Sequence, residues 1–258
     1  MNYYVADAFC GGPFTGNPAG VCIVENWPGD GLLHNIAAQN NLAETAFVLP
    51  LGGNRYHLRW FTPETEVDLC GHATLAASFI LKNFADKEAE DLEYDSQSGK
   101  LFVSIKNDLY YLNFPSRKPA PAGITLMMEE AIGAKVLEAH RSRDLVLLLE
   151  SEEAVRNLKP DMGLLSKLPD FGVCVTAKGT TADFVSRYFA PREGIPEDPV
   201  TGSAHSTLTP FWAERLSKTE MTAKQLSARG GALYVKDLGE RVEIAGRARL
   251  YLKGEIFI

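Results

Sequence analysis

The chain has 258 residues, 45% of them hydrophobic and 23% charged, with 26 basic against 33 acidic side chains and a net charge of −7. That is enough chain for one large core or two modest ones in an ordinary globular protein. No Lys/Arg run could follow a phosphate backbone, no apolar stretch reaches the roughly 18–20 residues of a membrane span, and the start MNYYVADAFC lacks the regions of a secretion signal. Nucleic acid, membrane and export are therefore not expected.

Taken in chain order, NYYVADAF (2–9) and AGVCIV (19–24) read as strands, and GLLHNIAAQNNLA (31–43) has helical spacing. ETAFVL (44–49) and YHLRWF (56–61) are the next strands. HATLAASFILKNF (72–84) follows as a helix with almost no polar face before Lys82, so it should be buried nearly all round. KLFVSI (100–105) and LYYLNF (109–114) lead into NFPSRKPAPAGI (113–124), whose three prolines make it the natural linker. Beyond it come strands DLVLLL (144–149), GVCVTA (172–177) and DFVSRYF (183–189), then a second helix, SAHSTLTPFWAERL (203–216), in which Pro210 should bend or interrupt the pattern. ALYVKDL (232–238), RVEIAG (241–246) and ARLYLKGEIFI (248–258) are the closing strands. Strict strand–helix alternation is missing, which excludes a doubly wound parallel sheet and predicts an α+β protein. The cysteines (Cys10, Cys22, Cys70, Cys174) are scattered, as reduced thiols of a cytoplasmic protein would be, and the five histidines lack metal-ligand spacing, so no metal is expected.

The two halves echo each other. RWFTP (59–63) and RYFAP (187–191) lie 128 residues apart. The same offset sets ETAFVLPLGG (44–53) beside GVCVTAKGTT (172–181). With three extra residues in the second copy, ETEVDLCGHATLAAS (64–78) meets PEDPVTGSAHSTLTP (196–210). Strand, Arg-aromatic-Phe-x-Pro and Gly-helix recur in one order, which predicts two similar pseudo-symmetric domains, 1–115 and 116–258, with the last strand free to cross back to the first. Each would be a mixed, barrel-like sheet around one apolar helix.

A duplicated enzyme usually places its site between its copies, where the Gly71 and Gly202 turns would present helix N-termini to a carboxylate. Glycines before helices are also simple turn residues. His72, in the first turn after Gly71, is suited to proton transfer near neutrality or to bonding the loop. Glu44 opens an apolar strand, where burial would raise a carboxylate toward general acid/base use. Its repeat counterpart is Gly172, so this acid belongs to one half only. Asp198, four residues before Gly202, is either a second acid/base group or part of a Pro-bounded turn. Ser203 stands opposite His72 in the repeat and serves a substrate carboxylate or a cap. Cys70 faces Thr201 in the repeat, and a threonine hydroxyl is too weakly acidic to replace the second thiol of a two-thiol racemase. A packing role for Cys70 follows. Asn17 in TGNPAG suits either a substrate contact or an Asn-Pro turn, and Arg229 in SARGGA either a carboxylate contact or an exposed turn.

These segments, DAFCGGPFTGNPAGVCIV, NLAETAFV, LRWFTPETEVDLCGHATLAA, RYFAPREGIPEDPVTGSAHSTLTPFWAERL and SARGGAL, resemble the PhzF (phenazine-biosynthesis isomerase-like) family through nearly the whole chain. The resemblance implies a diaminopimelate-epimerase-type fold with a site in the cleft, no cofactor, a homodimer, and an isomerase that moves a proton through a glutamate with His and Asp assisting. By motif these residues are Glu44, His72 and Asp198, with Gly71, Gly202, Ser203 and Asn17 around a small carboxylate-bearing substrate. Two rival expectations stand beside this isomerase: an epimerase using Cys70 with another base, and a small-molecule or partner-binding protein that kept the fold without turnover.

Overall fold

Alternating and continuous apolar runs lay down eighteen strands, more of the backbone than the helices take, and the computed structural model describes the whole chain, residues 1–258. In chain order the elements are β1 (Asn2–Ala8), β2 (Asn17–Ile23), α1 (Asp30–Asn40), β3 (Glu44–Gly52), β4 (Arg55–Phe61), β5 (Glu66–Val67), α2 (Gly71–Ile80), β6 (Asp91–Ser96), β7 (Gly99–Lys106) and β8 (Leu109–Pro115). There follow β9 (Ala120–Ala122), α3 (Leu126–Ile132), β10 (Glu138–Arg141), β11 (Leu145–Leu148), α4 (Glu152–Arg156), α5 (Met162–Leu165), β12 (Val173–Lys178), β13 (Phe184–Ala190) and β14 (Ile195–Asp198). The chain closes with α6 (His205–Leu216), β15 (Glu220–Gln225), β16 (Gly231–Asp237), β17 (Arg241–Gly246) and β18 (Ala248–Glu255). Two units form: Met1–Asn113 with Ala245–Ile258, and Phe114–Ile244.

The repeat seen in the sequence is present in the strand pairing. In the first unit β18–β1 and β1–β2 are antiparallel, β2–β3 parallel, β3–β4 and β4–β5 antiparallel, β4–β6 parallel and β6–β7 antiparallel. In the second unit β9–β10 and β10–β11 are antiparallel, β11–β12 parallel, β12–β13 and β13–β14 antiparallel, β13–β15 parallel and β15–β16 antiparallel. Order and sense agree at every step. The Arg-aromatic-Phe-x-Pro motif has a physical reason in both. Arg59 clamps Glu66 through Nε and Nη2, both at 2.7 Å, and Arg187 clamps Glu197 in the same way at 2.7 and 2.9 Å. Each guanidinium lies 5.1 Å from the ring of the Phe two residues on, Phe61 or Phe189. A planar fork is needed for that double bond to a carboxylate, which lysine cannot supply.

Helix α2 is buried on nearly every face, as its lack of polar residues predicts, and packs against β1, β2, β3 and β18. Its interior hydroxyls are satisfied locally: Ser78 Oγ bonds the Thr74 carbonyl and the Tyr94 hydroxyl, each at 2.8 Å. Helix α6 differs from expectation, because it runs from His205 to Leu216 without a break at Pro210. A proline at 210 removes the N–H that would bond the Ser206 carbonyl. That carbonyl accepts instead from the Arg117 amide at 2.9 Å, so the helix carries no stranded acceptor. The same bond corrects the idea of a free linker. Residues 114–124 belong to the second unit, held by Arg117 N to Ser206 O, by Ser116 N to Glu240 O at 2.9 Å, and by β9 on β10. No helix is long and apolar enough to cross a membrane.

Candidate active site

In the first unit, α1 ends where Asn41 takes the left-handed conformation at φ 50°, and the chain turns directly into β3. Glu44 is the first residue of β3, beside Ala19 of the parallel β2, and only 9% exposed. Helix α2 begins at Gly71, after Cys70 in an extended conformation (φ −141°, ψ 111°). Thr74 Oγ1 donates to the Cys70 carbonyl at 2.6 Å and tightens that first turn. The turn carries His72 inward, where its ring is 5% exposed.

His72 Nε2 lies 3.1 Å from Glu44 Oε2, and neither atom has another hydrogen-bonding partner. On the other side of the ring, Cys70 Sγ is 3.5 Å from Nδ1. Sequence reasoning assigned Cys70 to packing because Thr201 is its counterpart, whereas the structure turns its thiol toward the imidazole. The signal available was the Cys-Gly-His spacing itself. These three donor atoms lie within 4.8 Å of one another. Yet the thiol and the carboxylate meet opposite nitrogens of one ring, and a single ion bonds only one of them.

Burial works against charge on His72, but the Glu44 carboxylate at Nε2, with the hydrogen bond to Cys70 Sγ at Nδ1, outweighs it and holds its pKa well above the ordinary imidazole value. Burial, helped by Glu44, pushes the Cys70 thiol up, so it keeps its proton at neutral pH. A raised folded pKa for His72 means that the charged pair stabilises the fold fully below the unfolded value of about 6.5 and stops doing so as pH climbs through the folded value. Unfolding free energy is therefore expected to fall with rising pH across that window. Chemical denaturation at a series of pH values, compared with His72→Gln, checks this: the variant should lose the slope.

Asn17, the other first-unit candidate, is fully buried as the first residue of β2, opposite Ala8.

In the second unit, Asp198 is the last residue of β14 and 8% exposed. Thr201 Oγ1 donates to its Oδ2. Gln225 fixes both residues: its Nε2 donates to the Asp198 carbonyl at 2.7 Å and to Thr201 Oγ1 at 3.1 Å, and its Oε1 accepts from the Thr201 amide at 2.9 Å. Gln225 was not singled out from sequence, being one polar residue in EMTAKQ. A side-chain bond to the carbonyl four residues earlier repeats here too, with His205 Nδ1 2.9 Å from the Thr201 carbonyl, as Thr74 is bonded to Cys70. Gly202 and Ser203 occupy a turn ahead of α6, which begins only at His205 and has no side-chain cap. Ser203 is thus not a cap, and its Oγ accepts from Arg143 Nη2 at 3.3 Å. Arg143 is in turn held by Asp144, a carboxylate 1% exposed that also accepts from Tyr188 Oη at 3.1 Å. Arg229 is half-buried in the turn that follows β15.

Comparison with known proteins identifies the family and the fold. Residues 6–254 match the family described as phenazine biosynthesis-like protein. An uncharacterised isomerase of Pseudomonas aeruginosa is 49% identical over 99% of this chain and 98% of its own. A solved PhzF-family phenazine biosynthesis protein from Enterococcus faecalis superposes with a TM-score of 0.97 at 47% identity, covering 100% of this chain and 99% of that one. A predicted epimerase from Pseudomonas aeruginosa, at 19% identity and a TM-score of 0.75, covers 100% of this chain and 99% of its own and shares the fold. With two duplicated units, a buried Glu-His pair in the first and a whole-chain match to its members, the chain belongs to the PhzF family of phenazine biosynthesis-like proteins.

Proposed function

We propose that this protein is a cofactor-independent, cytoplasmic isomerase that moves a proton within a small carboxylate-bearing metabolite. Glu44 takes a proton from one carbon as the electron pair shifts into the adjacent unsaturated system, then returns a proton at a second position, so substrate and product have the same composition. His72 shares that proton with Glu44 and steadies the carboxylate between the two steps. The amide groups of the first turn of α2, at Gly71 and His72, suit a substrate carboxylate, because a helix N-terminus favours negative charge. Within the second unit, Asp198 and the Gly202–Ser203 turn offer an acid and anion-holding groups of their own.

One observation carries this: two buried polar atoms, Glu44 Oε2 and His72 Nε2, face each other at 3.1 Å with no other partner. A purely structural pair so deeply placed would be expected to have its remaining hydrogen-bonding capacity satisfied. The names of the relatives support the reaction class, since they are called isomerases.

A panel of small unsaturated carboxylates, screened by rise in melting temperature and then incubated with the enzyme in D2O, tests the proposal. The compound that binds should gain solvent deuterium and convert to an isomer of equal mass in H2O. Asp198→Asn is expected to slow that conversion about 10²-fold, the lower end of what a positioned acid or base contributes. Binding without exchange or conversion for every stabilising compound would instead support a non-catalytic binding protein.

A further inference from the structure

Strand register within each unit shows what the second one places where the first carries Glu44 and His72. Ala19 of β2 stands opposite Glu44 of β3, and Leu145 of β11 stands opposite Val173 of β12. With Glu44 matched to Gly172, the loop residues Ser142, Arg143 and Asp144 take the places of Asn17, Pro18 and Ala19. Ser203 takes the place of His72. Gly172 has no side chain to offer there, and Tyr188 fills the space beside it, its hydroxyl bonded to Asp144 Oδ1 at 3.1 Å. The side chain that reaches Ser203 is therefore Arg143, whose Nη2 donates to Oγ at 3.3 Å. A base stands where the first unit has an acid.

Arg143 is fixed in one plane. Its Nε and Nη2 donate to the two oxygens of Asp144, at 3.2 and 3.3 Å, and its guanidinium lies over the Phe171 ring, 4.5 Å from the centroid. Asp144 is buried, whereas the Arg143 side chain keeps 35% of its surface open. A guanidinium carries five N–H groups in a rigid fork. Three are taken, two by Asp144 and one by Ser203, and the two on Nη1 meet no acceptor in the chain. Ser203 Oγ accepts from Arg143, which leaves its own hydrogen to donate. The backbone amides of Gly202, Ser203 and Ala204 donate to no group of the chain. Every open position of this cluster is a donor. A carboxylate, which only accepts, suits such a set, and a cation does not.

We propose that Arg143 is the specificity-determining residue of the second unit: its Nη1 edge and the Ser203 hydroxyl hold the substrate's carboxylate. This deepens the reading of the substrate as a small carboxylate and rests on it. Asp144 orients the fork, Phe171 covers one of its faces, and no bond is made or broken at Arg143. The two units have then diverged at matched positions, with a carboxylate beside an imidazole in the first and a guanidinium beside a hydroxyl in the second.

The intact protein, 15N-labelled on arginine, is titrated with benzoate, a planar unsaturated carboxylate, and with benzamide, its uncharged amide. The Nε–H resonance of Arg143 is assigned by its absence in Arg143→Lys. It should shift saturably with benzoate, in wild type and in Glu44→Gln alike, and stay still with benzamide. Arg143→Lys keeps a cation for the buried Asp144 but lacks the fork, and Ser203→Ala leaves the Arg143–Asp144 pair intact. Each should weaken benzoate binding at least about tenfold, as loss of a hydrogen bond to a charged group does. On an identified substrate, Arg143→Lys should raise KM about 10–100-fold with kcat nearly kept. An arginine that serves only Asp144 would give a lower melting temperature with benzoate affinity and KM unchanged, and that result overturns the proposal. So does a wild-type resonance that benzoate leaves still. The two readings fail separately. Turnover with an unchanged KM in Arg143→Lys removes the carboxylate contact and leaves the isomerase. Benzoate held through Arg143 by a protein that exchanges no deuterium into any compound removes the isomerase and leaves the contact.

Discussion

Glu44→Gln is expected to lower turnover by about 10²–10⁴-fold, the usual contribution of a positioned general acid or base. The amide has nearly the volume of the carboxylate, so β3 should pair with β2 as before, while loss of the charge facing His72 should lower the melting temperature modestly without unfolding the protein. What is lost is a group able to hold a proton opposite His72 Nε2. Glu44→Asp gives a graded result, because the acid remains but withdraws by one methylene from a neighbour 3.1 Å away. A misplacement on that scale is expected to cost about 10²-fold. Steady-state rates with the substrate identified by exchange, alongside melting curves, separate loss of chemistry from loss of fold. Full turnover in a well-folded Glu44→Gln would sink the assignment.

The largest effect on stability is expected away from the Glu44–His72 pair, at the counterpart of Glu44 in the other unit. A Cβ added at Gly172 would overlap Oη and Cζ of Tyr188. Tyr188 cannot swing aside freely, since it is 3% exposed and its hydroxyl is bonded to the buried Asp144. Gly172→Ala therefore forces overpacking, at about 1–3 kcal/mol, together with loss of a buried hydrogen bond, at about 1–3 kcal/mol. A destabilisation of roughly 3–5 kcal/mol should appear in chemical denaturation, whereas Gly123→Ala, with open space around its added Cβ, should be nearly silent. The contrast also accounts for the single acid. In the first unit Trp60 stands where Tyr188 stands in the second, and β3 begins with Glu44. In the second unit the tyrosine hydroxyl fills the space that such a side chain would need.

Much of the fold could be read from residue pattern, for reasons visible in the elements. Strands such as ETAFVL and GVCVTA are apolar runs that meet a buried sheet on both faces, and all the strands singled out in the sequence form. The missed strands have weak inward faces. β15, EMTAKQ, buries only Met221, Ala223 and Gln225, and β6, DLEYDS, hides Leu92 and Tyr94 among acids. Pro210 misled because the acceptor it frees is taken by the amide of residue 117, a contact that no local pattern reports. Of the site, Glu44 and His72 stood out through their motifs. The Thr201–Asp198–Gln225 network and the approach of Cys70 to Nδ1 depend on side-chain direction and on strands distant in sequence.

Strand β18 pairs with β1 in the first unit as β9 pairs with β10 in the second, but β9 comes shortly before β10 in the chain while β18 comes at the opposite end of the sequence from β1. Met1 and Ile256 exchange two backbone hydrogen bonds across that seam, at 3.0 and 2.9 Å. During synthesis, then, the second unit is a continuous stretch that can close as soon as it leaves the ribosome. The first, though made earlier, must wait with the inward side of β1 half paired until residues 248–255 arrive. The usual N-terminal-first order of domain folding is inverted. The half that carries Glu44 and His72 is the last to be completed, so a chain interrupted before β18 holds the acid and the imidazole without the strand that closes the sheet behind them.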